Sequence, residues 1–272
     1  MKLLYNGQLL NDDEVQLSLS NRAFQFNDGF FETAIIKDGQ IRFWPDHLQR
    51  LHDAAKTLQL ALPESLFHIL NGTAILDLAQ QNIAFNHGRI KLKVWRSGSG
   101  LYTPETNHAD WLLTVTPITS SAQTPLKVGI CEAVFTSYTF FSHFKGPNSL
   151  VYVLAGLEKK KRGYDDMLVL SRDGFVSELI SSNIFWIKDK ELYTPDLQTG
   201  CINGILRRNI LRWCAAKNIN VHQVQANLEN LITAEAVFAT NVTGIRFIKE
   251  INEYQFAGMH ELIGAIQEEW QL

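Results

Sequence analysis

Along the first 45 residues, apolar and polar positions alternate in short runs that are broken twice by turn dipeptides. Asn6-Gly7 stands between Leu3-Leu4-Tyr5 and Gln8-Leu9-Leu10. Asp38-Gly39 stands between Thr33-Ala34-Ile35-Ile36 and Ile41-Arg42-Phe43-Trp44. Both predict hairpins. The period then changes: Leu48, Leu51, Ala55, Leu58 and Leu62 recur at helical spacing, predicting a helix over 46–62 that Pro63 ends. A second helix is predicted over 64–82. Alternation returns over 88–95 and 110–118, the pattern of half-buried strands. Residues 119–125 (TSSAQTP) are small, polar and end in proline, the composition of a linker. It would separate a first domain, 1–118, from a second, 126–272. In the second, strands are predicted over 126–134, 167–170, 184–187 and 237–240, and helices over 149–162 and 204–217. The fold class is mixed α/β (α+β), with strands dominating the first half.

The chain has 272 residues, 46% hydrophobic and 19% charged, so a disordered or fibrous chain is excluded. Lys+Arg 25 against Asp+Glu 28 gives a net charge of -3. That balance offers no electrostatic reason to expect nucleic acid or an anionic membrane as a partner. Cys131, Cys201 and Cys214 are far apart and form no CxxC pair. A disulfide scaffold and a cysteine-rich zinc site are therefore not expected, and a reducing cytoplasm fits. The N-terminus turns polar within a few residues, unlike a secretory signal. No apolar run approaches the roughly 18 residues that span a bilayer. The expectation is a soluble cytoplasmic protein.

Dinucleotide, P-loop, HExxH and GxSxG motifs are absent from the sequence. His47 and His52 are five apart, the wrong spacing for a shared metal, and no metal site is expected. Three segments could carry chemistry. Lys145 sits in YTFFSHFKGPNSL, among aromatic and apolar residues. An apolar setting disfavours the ammonium and makes the amine a nucleophile or base, whereas a lysine that snorkels to water keeps its charge. Thr199-Gly200-Cys201-Ile202-Asn203-Gly204 precedes a predicted helix, and such a glycine loop is either an anion cradle or an ordinary capped turn. Glu178 leads into the apolar run Leu-Ile-Ser-Ser-Asn-Ile-Phe-Trp-Ile and needs a partner, either a cationic ring nitrogen or a buried arginine.

Six segments in order, NRAFQFNDGFFET (21–33), DHLQRL (46–51), FKGPNSL (144–150), DGFVSELISSNIFW (173–186), TPDLQTGCINGILR (194–207) and AEAVFATNVTGI (234–245), resemble the fold-type IV family of pyridoxal-phosphate enzymes. That family includes branched-chain and D-amino-acid aminotransferases and 4-amino-4-deoxychorismate lyase. The resemblance implies a small N-terminal α/β domain, a larger C-terminal domain, pyridoxal 5'-phosphate in the cleft, and a homodimer acting on a small-molecule amine. It assigns Lys145 as the lysine that bonds to the cofactor and moves protons. Glu178 is assigned to the pyridine nitrogen. The phosphate is assigned to Arg50, the backbone N–H groups of Ile205 and Leu206, and Thr240 with Asn241. Ser182 and Asn183 are implied as further cofactor contacts. FFETAIIKDGQI, GCINGILRRNILR and KLKVWRSGSG most resemble the lyase, with Thr33 as a candidate proton donor. Arg22, Phe31, Arg96 and Tyr102 are candidates to meet the substrate, and Arg246 is a further candidate for its carboxylates. At Leu101-Tyr102-Thr103-Pro104 the arginine that the lyases and D-amino-acid aminotransferases carry in this loop is missing. The expected reaction is conversion of 4-amino-4-deoxychorismate to 4-aminobenzoate and pyruvate, a step toward folate. The alternative is amino transfer on branched-chain or D-amino acids.

Overall fold

The computed structural model describes residues 1–119, 124–258 and 260–271. The chain separates into two compact units: Met1–Ser121 with Phe144–Pro147, and Ala122–His143 with Asn148–Leu272. Residues 120–123, the centre of the expected linker, lie outside the described residues.

The first unit holds a six-stranded antiparallel sheet: β1 (Lys2–Tyr5), β2 (Gln8–Asn11), β3 (Gly29–Lys37), β4 (Gln40–Ile41), β5 (His87–Arg96) and β6 (Ala109–Pro117). The order is β2-β1-β6-β5-β3-β4. Its helices are α1 (Arg22–Phe26), α2 (Trp44–Thr57), α3 (Glu64–Ile69) and α4 (Thr73–Gln81). Both turn dipeptides make the expected hairpins, with positive φ at Asn6, Gly7, Asp38 and Gly39. The strand after the second turn stops at Ile41 instead of reaching Trp44, because Phe43 is left-handed at φ 53 and α2 starts at Trp44. That helix ends at Thr57, short of the predicted Leu62, where Gln59 turns to φ 55. The single helix expected over 64–82 is two helices, interrupted at 70–72.

Alternate residues of β3, β5 and β6 build the core of this unit. Phe30, Ala34 and Ile36 pack with Ile90, Leu92, Val94, Trp111 and Leu113 against Leu51 and Ala54 of α2. Each such side chain stabilises the fold by about 1.5–3 kcal/mol when fully buried. The same alternation turns Phe31, Thr33, Lys91 and Lys93 to the opposite face.

The second unit contains β7 (Leu126–Ile130), α5 (Ser149–Arg162), β8 (Asp166–Leu170), β9 (Val176–Leu179), β10 (Asn183–Lys188) and β11 (Glu191–Pro195). It continues with α6 (Ile205–Lys217), β12 (Val221–Val224), α7 (Leu228–Ile232), β13 (Ala236–Asn241), β14 (Gly244–Ile251), β15 (Tyr254–Gln255) and α8 (Glu261–Trp270). The strand expected over 126–134 stops at Ile130. The path β10-β13-β14-β7-β8-β9 closes on itself through the pairing of Asn183 with Glu178, giving a barrel-like sheet extended by β11 and β12. Leu168, Leu179, Ile184, Val237 and Ala239 fill one side of these strands with Leu126, Val128 and Ile248. Their neighbours in the chain, among them Glu178, Asn183 and Thr240, therefore occupy the other side. Among the described residues no helix is long and apolar enough to cross a membrane.

Candidate active site

Lys145 clusters with the first unit, where strand β3 fixes its backbone. The Phe31 N–H donates to the Lys145 carbonyl at 2.9 Å, and the Asn27 amide donates to the Gly146 carbonyl at 2.8 Å. Gly146 has φ 141, and a Cβ there would lie 2.7 Å from Phe30 Cα. Only glycine permits the chain to lie this close to β3. The lysine is thus anchored beside the strand that presents Thr33 two residues further on. Thr33 is half-buried, and its hydroxyl makes no hydrogen bond to the protein among the described residues.

Arg50 is fully buried on α2 and held by Glu32 of β3, to which its Nε donates at 2.6 Å and its Nη2 at 2.8 Å. His47 Nδ1 donates a third hydrogen bond to this carboxylate at 2.7 Å. Burial alone would raise the Glu32 pKa. The Arg50 charge and the hydrogen bonds from His47 and Arg50 outweigh it and hold the carboxyl at about 2. Sequence reasoning missed Glu32, although an acid on the same parity as Phe30, Ala34 and Ile36 is the signal of a buried charge that needs partners.

In the second unit, strand register assembles a row. Asn183 of β10 is paired on one side with Glu178 of β9 and on the other with Thr240 of β13. Paired residues share a face, so the acid, the amide and the hydroxyl stand side by side over two strand spacings, roughly 10 Å. Glu178 is 2% exposed and accepts from the Tyr152 hydroxyl at 2.6 Å and from the Ile202 N–H at 3.1 Å. The expected buried partner is thus in part a tyrosine and a backbone amide. Burial, and then the Glu178 charge, push the Tyr152 pKa well above its ordinary value, so the phenol stays a donor. Tyr152, from SLVYVL on α5, was not singled out by the sequence.

At the other end of the row, Thr240 Oγ1 is buried and has no hydrogen-bond partner among the described residues. The start of α6 is also uncapped: Gly204 is the N-cap residue, and no side chain among the described residues bonds the first N–H groups, those of Ile205 and Leu206. Asn183 Nδ2 donates to the Ile202 carbonyl at 2.7 Å, and its Oδ1 occupies the space a Cβ on Gly204 would need. Arg207, in the first turn of the same helix, is 2% exposed and bonds to the Pro195 carbonyl and the Gln223 amide oxygen; desolvation lowers its pKa. An orphaned hydroxyl, unpaired helix N–H groups and a buried guanidinium make a donor set that fits a phosphate ester.

The other predicted residues have different surroundings. Asn241 is engaged in its own turn, accepting from the Thr243 N–H at 2.8 Å and donating to Ser182 Oγ at 3.1 Å. Arg22 and Arg96 both turn onto Asp28, at 2.7 and 3.0 Å. Arg22 also donates to the Leu101 carbonyl, and Arg96 to the Leu58 carbonyl and the Asn107 side chain. Both guanidinium groups fasten loops. Phe31 is half-buried beneath Lys91 Nζ, which lies 4.8 Å from its ring centre. Tyr102 is exposed, with its ring 5.4 Å from Phe26. Arg246 Nη2 donates to the Thr124 carbonyl at 3.1 Å.

Comparison with known proteins places these groups in context. Residues 29–251 match the family described as amino-transferase class IV. An aminodeoxychorismate lyase of Vibrio harveyi is 25% identical over 236 residues, 84% of each chain. A D-alanine aminotransferase of Bacillus licheniformis is 27% identical over 255 residues, 89% of this chain and 85% of the relative. Among solved structures, the T.th. branched-chain amino acid aminotransferase with pyridoxamine 5'-phosphate superposes with a TM-score of 0.87 at 19% identity, covering 99% of this chain and 92% of that one.

Proposed function

The chain belongs to the amino-transferase class IV family, and on that premise we propose that it is a pyridoxal-phosphate-dependent lyase that converts 4-amino-4-deoxychorismate to 4-aminobenzoate and pyruvate. The observation that carries the proposal is the anchoring of Lys145 to β3 through the Phe31 N–H, beside a half-buried Thr33 whose hydroxyl is bonded to no protein group among the described residues. A base and an uncommitted hydroxyl donor on one backbone framework suit a reaction that removes a proton at one carbon and delivers one to a leaving group. The bound cofactor supplies the electron sink. Lys145 would hold it and would take the proton from the ring carbon that bears nitrogen. Thr33 would give a proton to the departing enolpyruvyl group, which leaves as the enol of pyruvate while the ring becomes aromatic, and the proton taken by Lys145 would return to restore the Thr33 hydroxyl. Glu178, fixed by Tyr152 and the Ile202 amide, would accept from the cofactor's pyridinium nitrogen. Thr240 and the start of α6 would hold its phosphate, with Arg50 the further candidate for it.

The D-alanine aminotransferase relative, 27% identical, supports amino transfer as the second reading. One assay separates the two. The purified protein is given 4-amino-4-deoxychorismate, and separately D- or branched-chain amino acids with 2-oxoglutarate. Formation of 4-aminobenzoate supports the lyase; glutamate formation without aminobenzoate refutes it. We also propose a homodimer, because α5 exposes Leu150, Val153, Leu154 and Leu157 at helical spacing. Light scattering at the mass of one chain would exclude it.

A further inference from the structure

Residues 136–143 lead the chain toward Lys145, and within the second unit they are stitched to the loop 199–204. Thr136 Oγ1 donates to the Thr199 carbonyl at 2.8 Å. At the other end, the Asn203 N–H donates to the His143 carbonyl at 3.1 Å. The His143 ring adds a hydrogen bond to the backbone of Cys201. Nδ1 is buried with no hydrogen-bond partner among the described residues, so Nε2 makes that bond. The bond favours the protonated ring, so the ring donates and the Cys201 carbonyl accepts. His143 therefore holds both neighbours of Ile202, Cys201 by its side chain and Asn203 by its backbone. Ile202 is the residue that serves Glu178: its N–H lies 3.1 Å from each carboxylate oxygen, and its carbonyl accepts from Asn183 Nδ2 at 2.7 Å.

The surroundings keep this imidazole in one state at neutral pH. Burial lowers its pKa, and the charges of Arg207 and Arg208 lower it further, while the Cys201 bond and Asp196 oppose them. Tyr138 packs against the ring, with 5.5 Å between ring centres. A second proton would go to Nδ1, a buried atom facing two guanidinium charges. The ring thus stays neutral, with its one proton on Nε2 and directed at Cys201.

We propose that His143 is a positioning residue for Glu178: by bracketing Ile202 it fixes the amide that aims the carboxylate at the cofactor's ring nitrogen. The inference rests on the reading of Glu178 as the acid at that nitrogen, and not on which of the two reactions the protein catalyses. A displaced Ile202 amide leaves the buried carboxylate with one donor fewer, and its hold on the ring proton changes. The chemical step then slows while substrate binding is kept.

The test compares the full-length wild type with His143→Phe and His143→Gln. Phenylalanine keeps a ring against Tyr138 but cannot donate. Glutamine can donate from the place of Nε2 but does not titrate. The backbone bond from Asn203 is available in both. Hydrogen exchange of the Ile202 amide is measured in the cofactor-free protein. The pH midpoint of the bound cofactor's visible absorption, the Kd values of pyridoxal phosphate and pyridoxal, and kcat and KM are measured as well. His143→Phe should speed Ile202 exchange about tenfold and move the midpoint by about half a unit or more. It should lower kcat about tenfold with KM within about twofold, and weaken pyridoxal and pyridoxal phosphate by the same factor. His143→Gln should restore most of each, which traces the effect to the hydrogen bond. Unchanged exchange in His143→Phe overturns the bracket, and an unchanged midpoint overturns its connection to Glu178. Weaker binding of pyridoxal phosphate alone also overturns the proposal, since His143 would then serve the phosphate end of α6. A wild type that binds no pyridoxal phosphate refutes the reading of Glu178 and the proposal with it. Ile202 exchange still shows in that case whether His143 holds the loop, so the two failures are distinct.

Discussion

Replacing Glu32 with glutamine keeps the side chain's shape and removes one charge from the most enclosed polar cluster of the first unit. Glu32, Arg50 and His47 are 2%, 1% and 1% exposed, and three donors converge on the carboxylate at 2.6–2.8 Å. Its pKa falls from the ordinary 4.5 to about 2. At 1.36 kcal/mol per unit, that difference contributes about 3 kcal/mol of stability at neutral pH. Breaking a buried pair by removing one partner costs about 3–5 kcal/mol by independent reasoning, because Arg50 is left as an uncompensated charge. The sign follows from linkage. The folded value lies below the unfolded one, so the contribution is complete above about 4.5 and is lost as pH falls from there through about 2. Urea unfolding of the cofactor-free protein at pH 7 should therefore show Glu32→Gln less stable by about 3 kcal/mol, and the gap should narrow as the medium is acidified. The variant should also bind pyridoxal phosphate more weakly while its affinity for pyridoxal, which lacks the phosphate, stays near wild type. A loss under about 1 kcal/mol at pH 7, or a gap that does not narrow in acid, would refute the assigned charge state.

Three further outcomes test the geometry. Thr240→Val removes a buried hydroxyl with no protein partner among the described residues, so stability should change by less than about 1 kcal/mol while the Kd for pyridoxal phosphate rises about tenfold; equal affinity would show that the hydroxyl does not meet the phosphate. Gly146→Ala introduces a Cβ 2.7 Å from Phe30 Cα at φ 141, and should abolish activity together with the cofactor's visible absorption, with far-UV dichroism reporting whether the fold survives; full activity would contradict the close approach. Tyr152→Phe removes the 2.6 Å hydrogen bond to Glu178 and should destabilise the protein by about 1.5–3 kcal/mol and shift the pH dependence of the bound cofactor's spectrum, because an unsupported carboxylate holds the ring proton differently; an unchanged profile would detach Tyr152 from that role.

What can be read in the sequence is mainly what short range decides. The two turn dipeptides, β5, β6, α5 and α6 follow from turn chemistry and period, and the structure has them close to the predicted places. Helix ends are harder: α2 stops at Thr57 although Leu58 and Leu62 continue the apolar spacing, because Leu60 turns back, its N–H reaching the Ala55 carbonyl, and packs in the core outside the helix. Closure of the barrel-like sheet is not legible, since it depends on one residue pair, Glu178 with Asn183, whose register is set by the turn over 180–182.

Some polar residues of the candidate site can be read from strand parity and others cannot, and that explains which are visible. Lys145 and Glu178 stand in distinctive surroundings that single them out. Glu32 sits in FETA and looks like the polar half of an alternating strand, yet it shares parity with Phe30, Ala34 and Ile36, so it must be buried and needs Arg50 and His47. His143 is hidden for another reason. In the chain it looks like one more polar residue of an aromatic loop, and only the assembled loops show its ring and its carbonyl on either side of Ile202. Parity is local and can be read from the chain; what a loop meets is a property of the folded unit. A buried acid on the core parity can therefore be inferred before folding is known, whereas a bracket around one amide can be recognised only once the loops have met.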